Sequence, residues 1–154
     1  VGQQISVKAA QTVWDRFALL TPQMTPKRVL KLKVNDMRAA GLSARKVEYL
    51  VDLAVHFDTH QLRVNQWDDL PDEDIIAELT AVRGIGRWTA EMFLMFRLGR
   101  PDILPLDDYS LRKAYAKAFE KRALPSPRAL EKAGEKWRPY RTVASWYLWR
   151  ALET

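Results

Sequence analysis

Three features of the chain predict an all-α fold. Apolar residues recur every three to four positions, helix caps and breakers stand where helices start and stop, and no segment alternates strictly. Hairpin dipeptides such as Asn-Gly and Asp-Gly are absent, which removes the strongest short-range signal for paired strands. The elements follow in order. Residues Ile5 to Leu20 form an amphipathic stretch that Pro22 and Pro26 break, and Lys27 to Lys33 makes a short basic turn or helix. Gly41 stands where a left-handed residue would end the short helix before it, and Ser43 can cap the next. That helix shows its core face as Val47, Leu50, Ala54 and Phe57. The segment DDLPDEDIIAE, residues 68–78, gathers acids at and before a helix start, where the positive end of the helix dipole favours them, and turned away from any polyanion. Ser126 and Pro127 read as N-cap and first turn of a helix reaching about Trp137, and Pro139 starts a final aromatic-rich helix, YRTVASWYLWRALE.

Composition narrows the function. The chain has 154 residues, 47% of them hydrophobic, enough for a proper core and too apolar for a disordered segment. Without cysteine there are no disulfides, thiolate metal sites, cysteine nucleophiles or iron-sulfur clusters. No apolar run approaches the roughly twenty residues that span a bilayer. The net charge of +6 is uneven: residues 79–154 hold 15 Lys/Arg against 8 Asp/Glu, while residues 1–78 hold 10 against 11. Such asymmetry points to a basic face in the second half and a polyanion as partner. The chain opens at Val1, inside an apparent helix, so an N-terminal piece is expected to be missing.

Two motifs carry chemistry. In Val82-Arg83-Gly84-Ile85-Gly86-Arg87, two glycines flank an aliphatic residue between two helical segments. Without Cβ atoms such a turn lets backbone approach a phosphate, and the amides opening the next helix point at the anion. About twenty residues later comes Leu104-Pro105-Leu106-Asp107-Asp108-Tyr109, before a helical segment. A carboxylate there is ordinarily a helix cap; behind a phosphate clamp it can also face the sugar, where an anion stabilises the oxocarbenium-like state of glycosidic cleavage. The six tryptophans include Trp14, Trp67 and Trp137, read as core. Trp88 and Met92 share a helix face, and Trp146, Tyr147 and Trp149 lie on the last helix, offering surfaces on which an extruded base could stack. An alkylated, cationic purine would gain cation–π attraction there.

These residues resemble the helix-hairpin-helix (HhH-GPD) DNA glycosylase superfamily, and within it the AlkA-like 3-methyladenine DNA glycosylase II enzymes. The likeness covers essentially the whole chain: GIGRWTAEMFLMF and LPLDDYSLRK, the opening VGQQISVKAA, the segment RAAGLSARKVEYLVDLA and the closing WRPYRTVASWYLWR. It implies a single HhH-GPD domain over residues 1–154, with the helix-hairpin-helix at about 73–98, that lacks an N-terminal segment packing near the last helix. It also implies a monofunctional enzyme that flips alkylated bases of the 3-methyladenine and 7-methylguanine type out of double-stranded DNA and hydrolyses their N-glycosidic bonds. By that resemblance Asp108 is the catalytic carboxylate and Asp107 supports it. By the same resemblance Trp88 and Trp149 line the base pocket and Met92 stands where the best-known pattern has a tyrosine; Met92 and Tyr147 are read from their helix positions as further pocket residues. Arg83, Gly84, Ile85, Gly86 and Arg87 form the DNA-binding hairpin, and Gln3 and Gln4 wedge into the duplex.

No cofactor is required. The carbonyls of Thr80, Val82 and Ile85 are a candidate site for a structural sodium or potassium ion. Bifunctional relatives carry a lysine nucleophile where this chain has Trp88, and tryptophan cannot form a Schiff base. The expected partner is double-stranded DNA met by a monomer, with no membrane. The expected location is the cytoplasm (nucleoid-associated) in a bacterium or the nucleus in a eukaryote. Two rivals remain: a non-catalytic helix-hairpin-helix module that only binds DNA, and a mismatch or oxidised-base glycosylase on the same scaffold.

Overall fold

The computed structural model describes residues 6–153, and among these every regular element is helical. In order the helices are α1 (Val7–Leu20), α2 (Pro26–Val29), α3 (Val34–Ala39), α4 (Ala44–Asp58), α5 (Asp72–Ala81), α6 (Arg87–Phe96), α7 (Tyr109–Ala118), α8 (Pro127–Gly134) and α9 (Arg141–Glu153). No helix among the described residues is long and apolar enough to cross a membrane.

The chain divides into two compact units: Val1–Asp69 with Ala77–Ile85, and Leu70–Ile76 with Gly86–Thr154. In the first, α2 and α3 pack on α4 around Phe17, Val29, Met37, Leu42, Val47 and Ala54. The punctuation is as the residues suggest. Gly41 takes φ +104, and the Ser43 hydroxyl accepts the Lys46 amide at 3.2 Å. Trp67 is buried, its indole N–H donated to Glu78 at 2.8 Å. Trp14 is a correction: it is 42% exposed, tilted against Phe17 at the rim of an apolar groove that Met24, Val29, Leu50 and Phe57 also line.

In the second unit α7 packs on α9, with Leu104, Leu111, Ala114, Tyr115, Leu130 and Leu148 at the core and Trp137 partly buried beside them. Ser126 caps α8 as expected, and the helix tightens to a 3₁₀ turn over Glu135–Trp137. The last helix begins at Arg141 rather than Pro139, after a cis Arg138–Pro139 bond. Its start is set by Asp102, whose carboxylate accepts from the Arg141 amide and guanidinium. Thr142 adds two bonds, donating to the Arg100 carbonyl at 2.7 Å and accepting the Ile103 amide at 3.0 Å. The loop before α7 is thereby tied to α9, and buried Ile103, Leu104 and Pro105 anchor the chain just ahead of the aspartate pair.

Candidate active site

The hairpin turn is built from both ends. Buried Val82 ends the first arm, and the Ile85 amide closes the turn on the Val82 carbonyl at 3.1 Å. Gly84 has φ +86, a left-handed conformation, and lies so close over the Tyr49 ring that a Cβ would sit 2.5 Å from its Cγ and Cε2. Asp52, also on α4, accepts the Arg83 amide at 2.8 Å. Gly86 serves a different purpose. Its φ of −91 suits any residue, it is the N-cap of α6 without a capping side chain, and nothing lies within 4 Å of where its Cβ would be. No acid occupies the first turn of α6, so the positive end of that helix is left uncompensated locally.

The two hairpin arginines differ. The Arg83 side chain is largely exposed, 3.7 Å from Glu48. Arg87 was expected to face a polyanion, but its guanidinium donates to both oxygens of Glu73 and, through Nε, to Glu91 at 3.0 Å. Two carboxylates already satisfy that charge, so what Arg87 can offer an anion is its backbone at the helix start. Glu91 is only 5% exposed. Burial pushes its carboxyl above the ordinary 4.5, against the pull of Arg87, and the nearby Asp107 charge adds to the push. A polar cleft of about 390 Å³ opens beside these residues, lined also by Asp102, Arg138 and Arg141. Each of its arginines is held by a carboxylate, which leaves it unsuited to an anion.

Asp108 is the N-cap of α7, its Oδ1 accepting the Leu111 amide at 2.7 Å. The capping role expected of any aspartate at such a position is therefore real. The other oxygen does something a cap does not require: Oδ2 accepts the indole N–H of Trp88 at 2.7 Å. Trp88 is 49% exposed, leaving ring surface open to a ligand beside the carboxylate. Asp107 is exposed, and its charge lies near Glu91.

The remaining aromatic candidates separate. Met92 is half-buried one turn beyond Trp88. Trp149 is half-buried against the α7–α9 core, with its ring 6.3 Å from that of Phe96. Phe96 was missed by sequence reasoning. It completes an i, i+4, i+8 stripe with Trp88 and Met92, a spacing that could have found it. Tyr147 is 65% exposed and pairs edge-on with Trp146. Two residues along a helix are about 200° apart, so Tyr147 points away from Trp149 and does not share its surface. Gln3 and Gln4, expected at the wedge, lie outside the described residues.

A family profile described as HhH-GPD superfamily base excision DNA repair protein matches residues 1–139. The chain is 36% identical over 153 residues to DNA-3-methyladenine glycosylase 1 of Schizosaccharomyces pombe, covering 97% of this chain and 67% of that protein. It is 32% identical over 161 residues to a putative DNA-3-methyladenine glycosylase of Bacillus subtilis, covering 99% of this chain but only 56% of that protein. Among solved structures, an S. pombe 3-methyladenine DNA glycosylase in complex with abasic DNA superimposes with a TM-score of 0.81 at 35% identity, covering 99% of this chain and 76% of that one. The chain thus spans from little more than half to about three quarters of the length of these relatives.

Proposed function

The chain belongs to the HhH-GPD superfamily of base excision DNA repair proteins, and from that premise we propose that it is a monofunctional glycosylase for alkylated bases in double-stranded DNA. The observation that carries the reading is the carboxylate of Asp108, held by the Leu111 amide and the Trp88 indole next to an open aromatic face. The relatives named for 3-methyladenine and the abasic-DNA complex of one of them support the substrate class.

In the proposed reaction the bond between C1′ and the base nitrogen breaks, and its electron pair leaves with the base. An alkylated purine carries positive charge and leaves without a strong general acid. The sugar becomes oxocarbenium-like, and the Asp108 anion stabilises it electrostatically. Water adds at C1′, with Asp108 orienting it or taking its proton, which yields free base and an abasic sugar. Asp107 supports this charge. Trp88 stands where a Schiff-base lysine would be, so the strand is not cut. Trp88, Met92 and Trp149 offer the surface for the extruded base, and the hairpin backbone from Arg83 to Arg87 takes a phosphate.

The hairpin carbonyls would also hold a monovalent cation in this reading. The Val82 carbonyl accepts one bond and has a second lone pair, and the carbonyls of Thr80 and Ile85 would complete the set. That ion would add positive charge beside the backbone that takes the phosphate.

The test is release of free base from methylated duplex DNA, resolved as 3-methyladenine, 7-methylguanine and hypoxanthine. The full-length protein should release the methylated purines, and Asp108→Asn should lose release by orders of magnitude while still binding DNA. An Asn variant with near wild-type turnover would leave Asp108 as a helix cap alone, and DNA binding without base release by the unsubstituted protein would favour the DNA-binding module.

A further inference from the structure

We propose that Trp88 is a positioning residue for the Asp108 carboxylate, acting through its indole N–H rather than only through its ring face. The proposal rests on the reading of Asp108 as the catalytic group. The last torsion of an aspartate is broad, so one hydrogen bond does not by itself set the direction of both oxygens. Here each oxygen has its own donor at 2.7 Å, the Leu111 amide on Oδ1 and the Trp88 Nε1 on Oδ2. Both are short, charge-assisted bonds, and the indole can only donate, so the pair has a single arrangement.

The two donors are anchored independently. Leu111 is fully buried in the first turn of α7, and Trp88 sits in the first turn of α6, whose Ala90 and Leu94 are fully buried. The carboxylate is thus suspended between two helices twenty residues apart in sequence. The bond works in both directions, because it also fixes the plane of an indole that is half open to solvent. A base stacking on Trp88 would therefore meet a ring whose orientation is already tied to that of the anion. Seat and charge are aligned before any ligand arrives, the preorganisation that electrostatic stabilisation of a developing cation needs.

The test removes the N–H and keeps the ring. Trp88→Phe and replacement of Trp88 by 3-benzothienylalanine, in which sulfur takes the place of the indole N–H, are made in the full-length protein and assayed on methylated and hypoxanthine-containing duplexes. Loss of a hydrogen bond to a charged group should lower kcat about tenfold to a hundredfold. KM and affinity for an abasic-site duplex should stay within about twofold. The loss should be equal for cationic 7-methylguanine and neutral hypoxanthine, because the carboxylate acts on the sugar. A benzothienyl variant with wild-type kcat, or a loss confined to cationic bases, would overturn the proposal and leave Trp88 a stacking surface. Should Trp88→Phe unfold, the near-isosteric benzothienyl variant decides. Asp108→Asn is run alongside. If it retains turnover the catalytic reading itself fails, whereas an inactive Asp108→Asn with a fully active benzothienyl protein removes only the role of the N–H.

Discussion

Alanine at the two hairpin glycines should separate stability from binding. At Gly84 the backbone has φ +86, so a side chain brings about 1–2 kcal/mol of left-handed strain. Its Cβ would also fall 2.5 Å from Cγ and Cε2 of Tyr49, and moving a half-buried ring costs about 1–3 kcal/mol. Reduced freedom of the unfolded chain offsets about 0.5 kcal/mol. The net loss for Gly84→Ala is then about 2–4 kcal/mol, a large part of the roughly 5–15 kcal/mol that holds a domain together. At about 2–4 °C per kcal/mol, the melting temperature should fall by roughly 5–15 °C.

Gly86→Ala should behave differently. Its φ of −91 is ordinary and no atom lies within 4 Å of the added Cβ, so stability should change by no more than about 1 kcal/mol, the cost of a poorer N-cap. If a phosphate approaches the backbone there, the Cβ meets the ligand instead, and affinity for damaged and undamaged duplexes should drop by a common factor because phosphate contacts carry no sequence information. Urea denaturation and fluorescence anisotropy on both duplexes measure the two effects. Combining Gly84→Ala with Tyr49→Leu should relieve the clash and leave the dihedral strain. A Gly84→Ala protein as stable as wild type would refute the account of the turn, and unchanged DNA affinity in Gly86→Ala would refute close backbone approach.

Other expectations concern charge and the aromatic surface. Burial opposes ionisation of Asp102, but its bonds from Arg141 and the charge of Arg138 outweigh that and hold the carboxyl below the ordinary 3.8. Its contribution is therefore present above that value and lost as pH falls through the folded pKa, so Asp102→Asn should weaken the protein at neutral pH and flatten its acid-induced loss of stability in urea titrations below about pH 4. Glu91 has the opposite sign: with its carboxyl raised above 4.5, stability falls as pH rises through the folded value. Glu91→Gln keeps an acceptor for Arg87 and should remove that decline; a stability profile from pH 4 to 7 parallel to wild type would contradict it. Tyr147→Ala should leave base release and melting nearly unchanged, while Trp149→Ala should cost stability through lost packing and cost cationic bases more than neutral ones. Equal activity losses in the two variants would put Tyr147 back beside the base.

Local chemistry made much of this molecule legible. The caps at Ser43 and Ser126, the left-handed Gly41 and the acids opening α5 all act within one helical turn of themselves, so they hold wherever the helix is placed. The hairpin glycines and the aspartate pair were visible for the same reason. The difference between Gly84 and Gly86 was not, because it depends on Tyr49, thirty-five residues earlier, lying beneath one and not the other.

Partners distant in sequence decided the rest. Arg87 looked like a phosphate ligand among basic neighbours until Glu73 and Glu91 claimed its guanidinium. Trp14 has core-like spacing on α1 and still stands 42% exposed, since periodicity gives the face of a helix but not whether another element covers it. The sequence by itself determined that the chain is helical, where its capped helices begin, and which residue types could perform glycosidic chemistry, because propensity, capping and turn geometry are set by neighbours along the chain. Only the tertiary structure decided that Trp88 donates to Asp108 and that Phe96 meets Trp149. Those relations depend on how separate helices pack, and a hydrogen bond across twenty residues leaves no mark on the residues between.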